Sequence, residues 1–380
     1  MARIYFDNAA TSWPKPESVY RAMDDYSRRL GAPAGRGAYA EAAEVERVIT
    51  SCRKKVAELV GASDPSRVIF TQNGTDSLNL AIHGWLREGD HVVTTVCEHN
   101  SVLRPLRFLA EHRNVTTTYV GCDAQGFIDP DAIRRAIQPQ TRLIALIHAS
   151  NVTGAIQPVE EVGRIAAESG IAYLVDAAQS LGHVPADVQR IGCQMLAAPG
   201  HKGLLGPLGT GVLYISPGVE DRLLPLRQGG TGTRSDEDVQ PASLPDRYES
   251  GNLNVPGIAG LGAGVGEVLA RGVKAIQADA EILTGRLLRE IPGVTYYGPP
   301  SAQKRAGIVS LNLAGYDPQE LASLLDSQWS IQTRAGLHCA PRMHAALGTT
   351  PSGTLRLSIG IFNTAQQIDA VVSALREVAQ

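Results

Sequence analysis

Cysteine is scarce and unpaired in this 380-residue chain: Cys52, Cys97, Cys122, Cys193 and Cys339 are odd in number, scattered, and form no CxxC pair. That excludes a disulfide framework and a CxxC zinc site, and reads as reduced cytosolic thiols. No run of about 18 uninterrupted apolar residues occurs, so neither a transmembrane helix nor a membrane partner is expected. No basic block occurs and the formal net charge is −3, which leaves no electrostatic footprint for nucleic acid. The first residues, MARIYFDNAAT, carry an acid at Asp7 and no apolar core after Arg3, unlike a signal peptide. The resulting expectation is a cytoplasmic protein. No P-loop pattern is found. The stretch GLGAGVG at 260–266 approaches a dinucleotide fingerprint. Its last glycine falls at the wrong spacing and no clear strand precedes it, so it reads as a small-residue helix face.

With 43% hydrophobic and 19% charged residues, the composition is that of an ordinary soluble protein. The length suits a large domain plus a smaller one. Short apolar runs alternate with amphipathic stretches from SRVIFTQN to GVLYIS. This predicts an α/β architecture with a mostly parallel sheet covered on both faces. Near residue 257 the pattern changes to one long helical stretch, GIAGLGAGVGEVLARGVKAIQADAEILTGRLLREI, and then to a smaller α+β arrangement.

In open α/β sheets, ligands sit at the carboxyl ends of strands. Asp176 closes the run IAYLV, with Gln179 three residues later; His99 follows VVTTVCE; Asn151 follows LIALIHAS. Each alone reads as a cap or a satisfied loop residue. Four in one sheet, followed by the glycine-rich loop AAPGHKGLLGP that carries His201 and Lys202, point to a site. A lysine there is either a solvated charge or a positioned amine. Gly74 and Thr75 open a helix directly after a strand, as a phosphate site does and as a simple cap does. A phosphate site, a strand-end carboxylate and a positioned lysine together suit pyridoxal 5′-phosphate (PLP). Its aldehyde forms a Schiff base with lysine, and its ring nitrogen needs an acid partner. Cys339 has two readings. It is a small buried hydrophobe, or a thiol activated by cations at Arg334 and His338. Cys97 and His99 form a CxH pair without the further ligands a metal needs.

The segments FDNAATSWPKP, GTDSLNLA, CEHNS, SNVTG, VDAAQS, GHKGLLGPLGTG, NVPGIAGL, RAGLHCAP and LRLSIGIFNT occur in an order that resembles the class V aminotransferase family of PLP fold type I. Within it, the chain is most similar to the group II (SUF-type) cysteine desulfurases and selenocysteine lyases. RAGLHCA, similar to the group's RxGxxCA motif, is the most diagnostic piece. The resemblance implies a large PLP-binding domain over 21–256, with 1–20 and 257–380 forming the small domain. It implies that Lys202 is the Schiff-base lysine, Asp176 holds the ring nitrogen, Gln179 the phenolic oxygen, and His99 stacks on the ring. Thr75, the amide of Gly74 and His201 would hold the phosphate. Asn151 and Arg356 would bind the substrate carboxylate, with Arg334 nearby, and Cys339 would accept sulfur.

Three positions depart from the family pattern. Pro199 stands where Ser or Thr is usual, Leu337 where many members carry His, and Gly251-Asn252 where Gly-Thr is usual. That threonine reaches a neighbouring subunit's phosphate, and Asn252 can still donate a hydrogen bond there. The segment RQGGTGTRSDED at 227–238 reaches the partner's cofactor in relatives, which implies a homodimer. The expected activity converts L-cysteine to L-alanine with a persulfide on Cys339, for transfer to a small sulfur-acceptor protein. A selenocysteine lyase or other C–S lyase, and a scaffold with a degenerate cofactor site, are the alternatives.

Overall fold

The computed structural model describes residues 3–35, 37–233 and 236–380. Arg234 and Ser235, within the segment expected to reach a partner subunit, lie outside the described residues. From the N-terminus, β1 (Ile4–Tyr5) leads to α1 (Glu17–Asp25) and α2 (Ala40–Val60). Then β2 (Val68–Thr71), α3 (Gly74–Trp85), β3 (His91–Thr95), α4 (Asn100–Arg113), β4 (Thr116–Val120) and α5 (Pro130–Ala136) follow. After them come β5 (Thr141–Ile147), α6 (Val159–Glu168), β6 (Ala172–Asp176), α7 (Val188–Ile191), β7 (Met195–Pro199) and β8 (Gly211–Ile215).

These strands form one seven-stranded sheet in the order β2-β8-β7-β6-β5-β3-β4. Six run in one direction, and β8 is antiparallel to both β7 and β2. The carboxyl ends of β2, β3, β5, β6 and β7 therefore share one edge. Alternate side chains enter opposite cores. Ile69, Val92, Leu143, Leu174 and Met195 pack with α3 and α4, through Leu78, Ile82, Leu106 and Leu109. Val68, Val93, Ile144, Val175 and Leu196 pack on the other face with α2 and α6, through Val45, Ile49, Val56 and Val162. Burial on both faces explains why the central strands read as continuous apolar runs.

The chain continues through α8 (Val255–Arg271), α9 (Val273–Leu287), β9 (Val294–Tyr297), β10 (Ile308–Leu313) and α10 (Pro318–Trp329). It closes with β11 (Ile331–Gln332), β12 (Arg334–Gly336), α11 (Pro341–Ala346), β13 (Thr354–Ser358) and α12 (Ala365–Val378). The long helical stretch expected after residue 257 is two helices, because Gly272 turns the chain at φ +78°. The GLGAGVG segment lies on α8 as a small-residue face. A Cβ at Gly264 would meet the Leu204 carbonyl oxygen at 2.5 Å, so that glycine lets α8 close on the loop that carries Lys202. A second, antiparallel sheet has the order β12-β13-β10-β9, and β1 pairs in parallel with β11. Phe6, Leu311, Leu325, Ile331 and Leu357 share its core. Among the described residues, no helix is long and apolar enough to cross a membrane.

Candidate active site

Asp176, the last residue of β6, sits buried at the shared strand edge, where its Oδ1 accepts from the Ala178 amide at 2.9 Å. Gln179 Nε2 donates to the Ala9 carbonyl at 3.0 Å, which joins the N-terminal FDNAAT segment to the sheet. The chain leaves β7 at Pro199 and turns directly into His201 and Lys202. Donors converge on the His201 carbonyl: Lys15 Nζ at 2.8 Å, the Ser12 amide at 3.0 Å and Thr11 Oγ1 at 3.1 Å. Opposite, Asn73 caps α3 by accepting from the Asp76 amide at 2.9 Å. That leaves Gly74 and Thr75 at the pocket wall. Thr75 Oγ1 meets Ser101 Oγ at 2.8 Å, and Ser101 in turn binds His99 Nδ1 through both its hydroxyl (2.9 Å) and its amide (3.0 Å). Gly74, Thr75, His99, Asn151, Asp176, Gln179, His201 and Lys202 line one pocket.

The electrostatics follow from enclosure. Burial pushes the Lys202 amine down to about 8; Asp176 opposes that shift, while Arg356 and Arg334 add to it. Burial raises the Asp176 carboxyl, with Lys202 opposing. His99 is pushed down to about 4 by burial and then by Lys202, so its imidazole is neutral. Because its Nδ1 accepts from an amide, Nε2 carries the proton. His201 is likewise pushed down to about 4, by burial and then by Lys202 and Lys15.

Cys339 stands at the rim. It is exposed, and it borders an adjoining cleft that shares Thr75, His99 and Ser101 with the pocket. Its turn follows β12 and precedes α11. His338 and Cys339 are both left-handed, at φ +48° and +58°, a region non-glycine residues seldom occupy. The turn is tied on both sides: Asn151 Nδ2 donates to the His338 carbonyl at 2.6 Å, and the Asn100 amide donates to the Cys339 carbonyl at 2.8 Å. One expectation is corrected. His338 is not a cation beside the thiol, since burial and then Arg356 push it down to about 2; its Nε2 meets Thr354. Arg334 and Arg356 are cross-strand partners on β12 and β13. Arg356 donates to the Asn151 carbonyl at 3.1 Å and to Asp7 Oδ1 at 2.9 Å.

Asn252 does not line the pocket; it lies exposed in the segment before α8. Four residues that reach the site were not predicted individually: Asp7, Lys15, Ser101 and Glu98. FDNAAT carried the signal for Asp7, and CEHNS the signal for Glu98 and Ser101. Glu98 Oε1 accepts from Thr95 Oγ1 at 2.6 Å and from the Ile147 amide at 3.1 Å, while Oε2 is buried without a partner. Burial pushes its carboxyl up to about 8, and Asp176 adds to the rise.

Residues 4–371 match the model of the family described as Aminotransferase class-V. A probable cysteine desulfurase of Methanothermobacter thermautotrophicus is 40% identical, over 99% of this chain and 94% of its own length. A cysteine desulfurase of Haloferax volcanii is 34% identical, over 98% of this chain and 88% of its own. Among solved structures, an apo cysteine desulfurase from Thermococcus onnurineus superposes with a TM-score of 0.92 at 35% identity, covering 99% of this chain and 94% of that one. The cysteine desulfurase CsdA from Escherichia coli superposes with a TM-score of 0.87 at 30% identity, covering 99% and 94%.

Proposed function

We infer that this chain, which belongs to the aminotransferase class-V family, is a PLP-dependent cysteine desulfurase of fold type I. The observation that carries this reading is the adjacency of two reactive groups. An enclosed amine, Lys202, shares a pocket with a buried carboxyl, Asp176, and an exposed thiol, Cys339, borders the cleft next door. The unpartnered polar atoms fit PLP and its substrate: Asn151 Oδ1, an acceptor, His201 Nδ1 and the Arg356 Nε–H, a donor, are buried without partners. A Cβ at Gly74 would press on Pro199 Cδ at 3.0 Å, so the glycine keeps the pocket wall open.

When bound, PLP supplies an electron sink for the charge released as substrate bonds break. In this reading Lys202 would hold the cofactor, Asp176 would pair with its ring nitrogen, Gln179 with its phenolic oxygen, and His99 with its ring. The Gly74 amide, Thr75 and His201 would hold its phosphate, and Asn252 from a second copy of the chain would complete that cup. Arg356 and Asn151 take the substrate carboxylate, with Arg334 beside them. With its pKa near 8, the Lys202 amine is poised to take the Cα proton of L-cysteine near physiological pH. The Cys339 thiolate attacks the substrate sulfur. The new S–S bond leaves a persulfide on the chain, the broken Cβ–S bond leaves its electron pair on Cβ, which takes a proton, and Lys202 returns a proton to Cα to complete L-alanine.

The compact turn around Cys339 gives the loaded sulfur little reach. We therefore propose that the enzyme is slow by itself and is accelerated by a small acceptor protein that brings its own thiol to the cleft. Cys339→Ala tests the function. It should form no persulfide and release no alanine from cysteine, while still retaining PLP. Alanine release at the wild-type rate would transfer the assignment to a lyase that needs no cysteine nucleophile.

A further inference from the structure

We propose that the cleft beside Cys339 binds a second substrate, a small thiol bearing a carboxylate that takes the sulfur directly, and that Arg104 is the residue that selects it. The site rests on the desulfurase reading and adds a small-molecule acceptor to the protein one. The cleft is a groove between two helices. Thr75, Asn79 and His83, four residues apart on α3, form one wall. Asn100, Arg104 and Phe108, at the same spacing on α4, form the other. Residues four apart share a helix face, so each wall is a continuous stripe. At the inner end Thr75 Oγ1 meets Ser101 Oγ at 2.8 Å, and the Asn100 amide donates to the Cys339 carbonyl at 2.8 Å. At the outer end the His83 and Phe108 rings meet edge to face, with centroids 5.6 Å apart, and His112 stacks on Phe108 at 4.1 Å. Eight residues of helix separate the two ends, about 12 Å. The groove holds about 540 Å³, within the ~300–1,000 Å³ typical of small-molecule sites.

Arg104 is the charge in this groove. Its exposed side chain makes no ion pair among the described residues, and no carboxylate lines either wall. Burial is the first cause lowering both His83 and His99, which leaves those rings neutral. An unpaired cation in a groove without acids suits an anion, and a guanidinium can hold a carboxylate through two hydrogen bonds. Position narrows the choice. Arg104 lies one turn, about 5.4 Å, outward from Asn100, the residue that holds the Cys339 carbonyl. A thiol that reaches the loaded sulfur therefore brings a carboxylate to Arg104 when two or three carbons separate the two groups. The Cys339 turn has little reach, so the acceptor must come to it, and the groove leads there.

The transfer needs no oxidant. The acceptor enters as a thiolate, its proton left in water, and attacks the outer sulfur of the Cys339 persulfide. A new S–S bond forms on the acceptor, and the outer sulfur keeps its proton. The bond to Cys339 breaks, and its electron pair stays behind as the Cys339 thiolate. The acceptor leaves as a persulfide.

Two measurements test the site, with circular dichroism checking that each variant folds. The first needs no turnover. Cys339 of the holoenzyme is alkylated with iodoacetate or iodoacetamide, an anion and a neutral molecule of similar size, and followed by peptide mass. Arg104→Gln should lower the iodoacetate-to-iodoacetamide rate ratio about threefold or more, and Arg104→Lys should keep most of it. In the second, the holoenzyme is loaded with L-cysteine, and the excess, itself a thiol acid, is removed. Discharge of the persulfide is then timed with 3-mercaptopropionate and with its neutral amide. The ratio of those two rates should also fall about threefold or more in Arg104→Gln and largely persist in Arg104→Lys. Each ratio cancels the reagents' own reactivity and any change in loading. If either ratio is the same in Arg104→Gln as in the wild type, or if Arg104→Lys loses as much, the acceptor site is overturned while the desulfurase reading stands. Discharge no faster with either thiol than in buffer would leave the groove to the acceptor protein and overturn the site as well. A wild type that forms neither persulfide nor alanine refutes the desulfurase reading itself, and the site falls with it.

Discussion

Asn151 and His338 are joined by a 2.6 Å hydrogen bond from the Asn151 side-chain amide to the His338 carbonyl. The same side chain leaves its Oδ1 buried without a partner. One residue at the pocket wall is thus fastened to the turn that presents Cys339. Asn151→Ala should do two things at once. Loss of a hydrogen bond to a charged substrate group should raise KM for cysteine about tenfold or more. Release of the turn should slow persulfide formation at saturating cysteine. A stopped-flow trace in which only KM moves would show that the tie to His338 does not matter for the chemistry.

Lys202→Ala removes the enclosed amine. Borohydride should then fix no PLP to the chain, and turnover should fall by on the order of 10³-fold or more. Peptide mapping after reduction gives the answer, and a labelled lysine elsewhere at full yield would refute the assignment.

Glu98 makes stability depend on pH. Its folded pKa is raised from 4.5 to about 8 by burial and then by Asp176. Between those values the folded chain binds the extra proton. The group's stabilising contribution is therefore full below the unfolded pKa and is lost as pH rises through about 8. Glu98→Gln mimics the protonated form at every pH. The variant should match the wild type near about pH 4 and melt a few degrees higher near about pH 9. Parallel melting curves across that range would contradict a neutral Glu98.

Oligomeric state bears on Asn252. Arg53 holds Glu249 through two buried contacts of 2.7 and 2.8 Å, and Glu249 Oε1 also accepts from the Phe70 amide at 2.6 Å. That clamp fixes the chain three residues before the exposed Asn252. A homodimer is expected by light scattering at micromolar concentration, and Asn252→Ala should weaken PLP retention without changing the oligomer. A PLP-bound monomer would exclude the composite site.

The strand-edge half of the site was legible because it depends on local pattern. Asp176, Gln179, His99 and Lys202 each follow an apolar run whose end fixes their position. The glycines of α8 were readable for the same reason. What could not be read depends on contacts between distant segments. Asp7 meets Arg356 across 349 residues, and the buried state of His338 is decided by strands β12 and β13. Their packing turns an apparent cation beside Cys339 into a neutral ring. Gly272 was present in the sequence as one of seven glycines in a helical stretch. Only its positive φ marks it as a break.

The backbone at His338 and Cys339 bears on how this protein can change. Two successive side-chain-bearing residues in left-handed conformation cost on the order of 1–2 kcal/mol each, and the rest of the fold must over-determine them. Selection for thermal resilience alone would relax that turn, most simply through glycine. The relaxed chain would be hardier, and its thiol would wander. Durability and sulfur chemistry thus pull on the same few bonds in opposite directions, so stabilising changes are better sought far from residues 336–341.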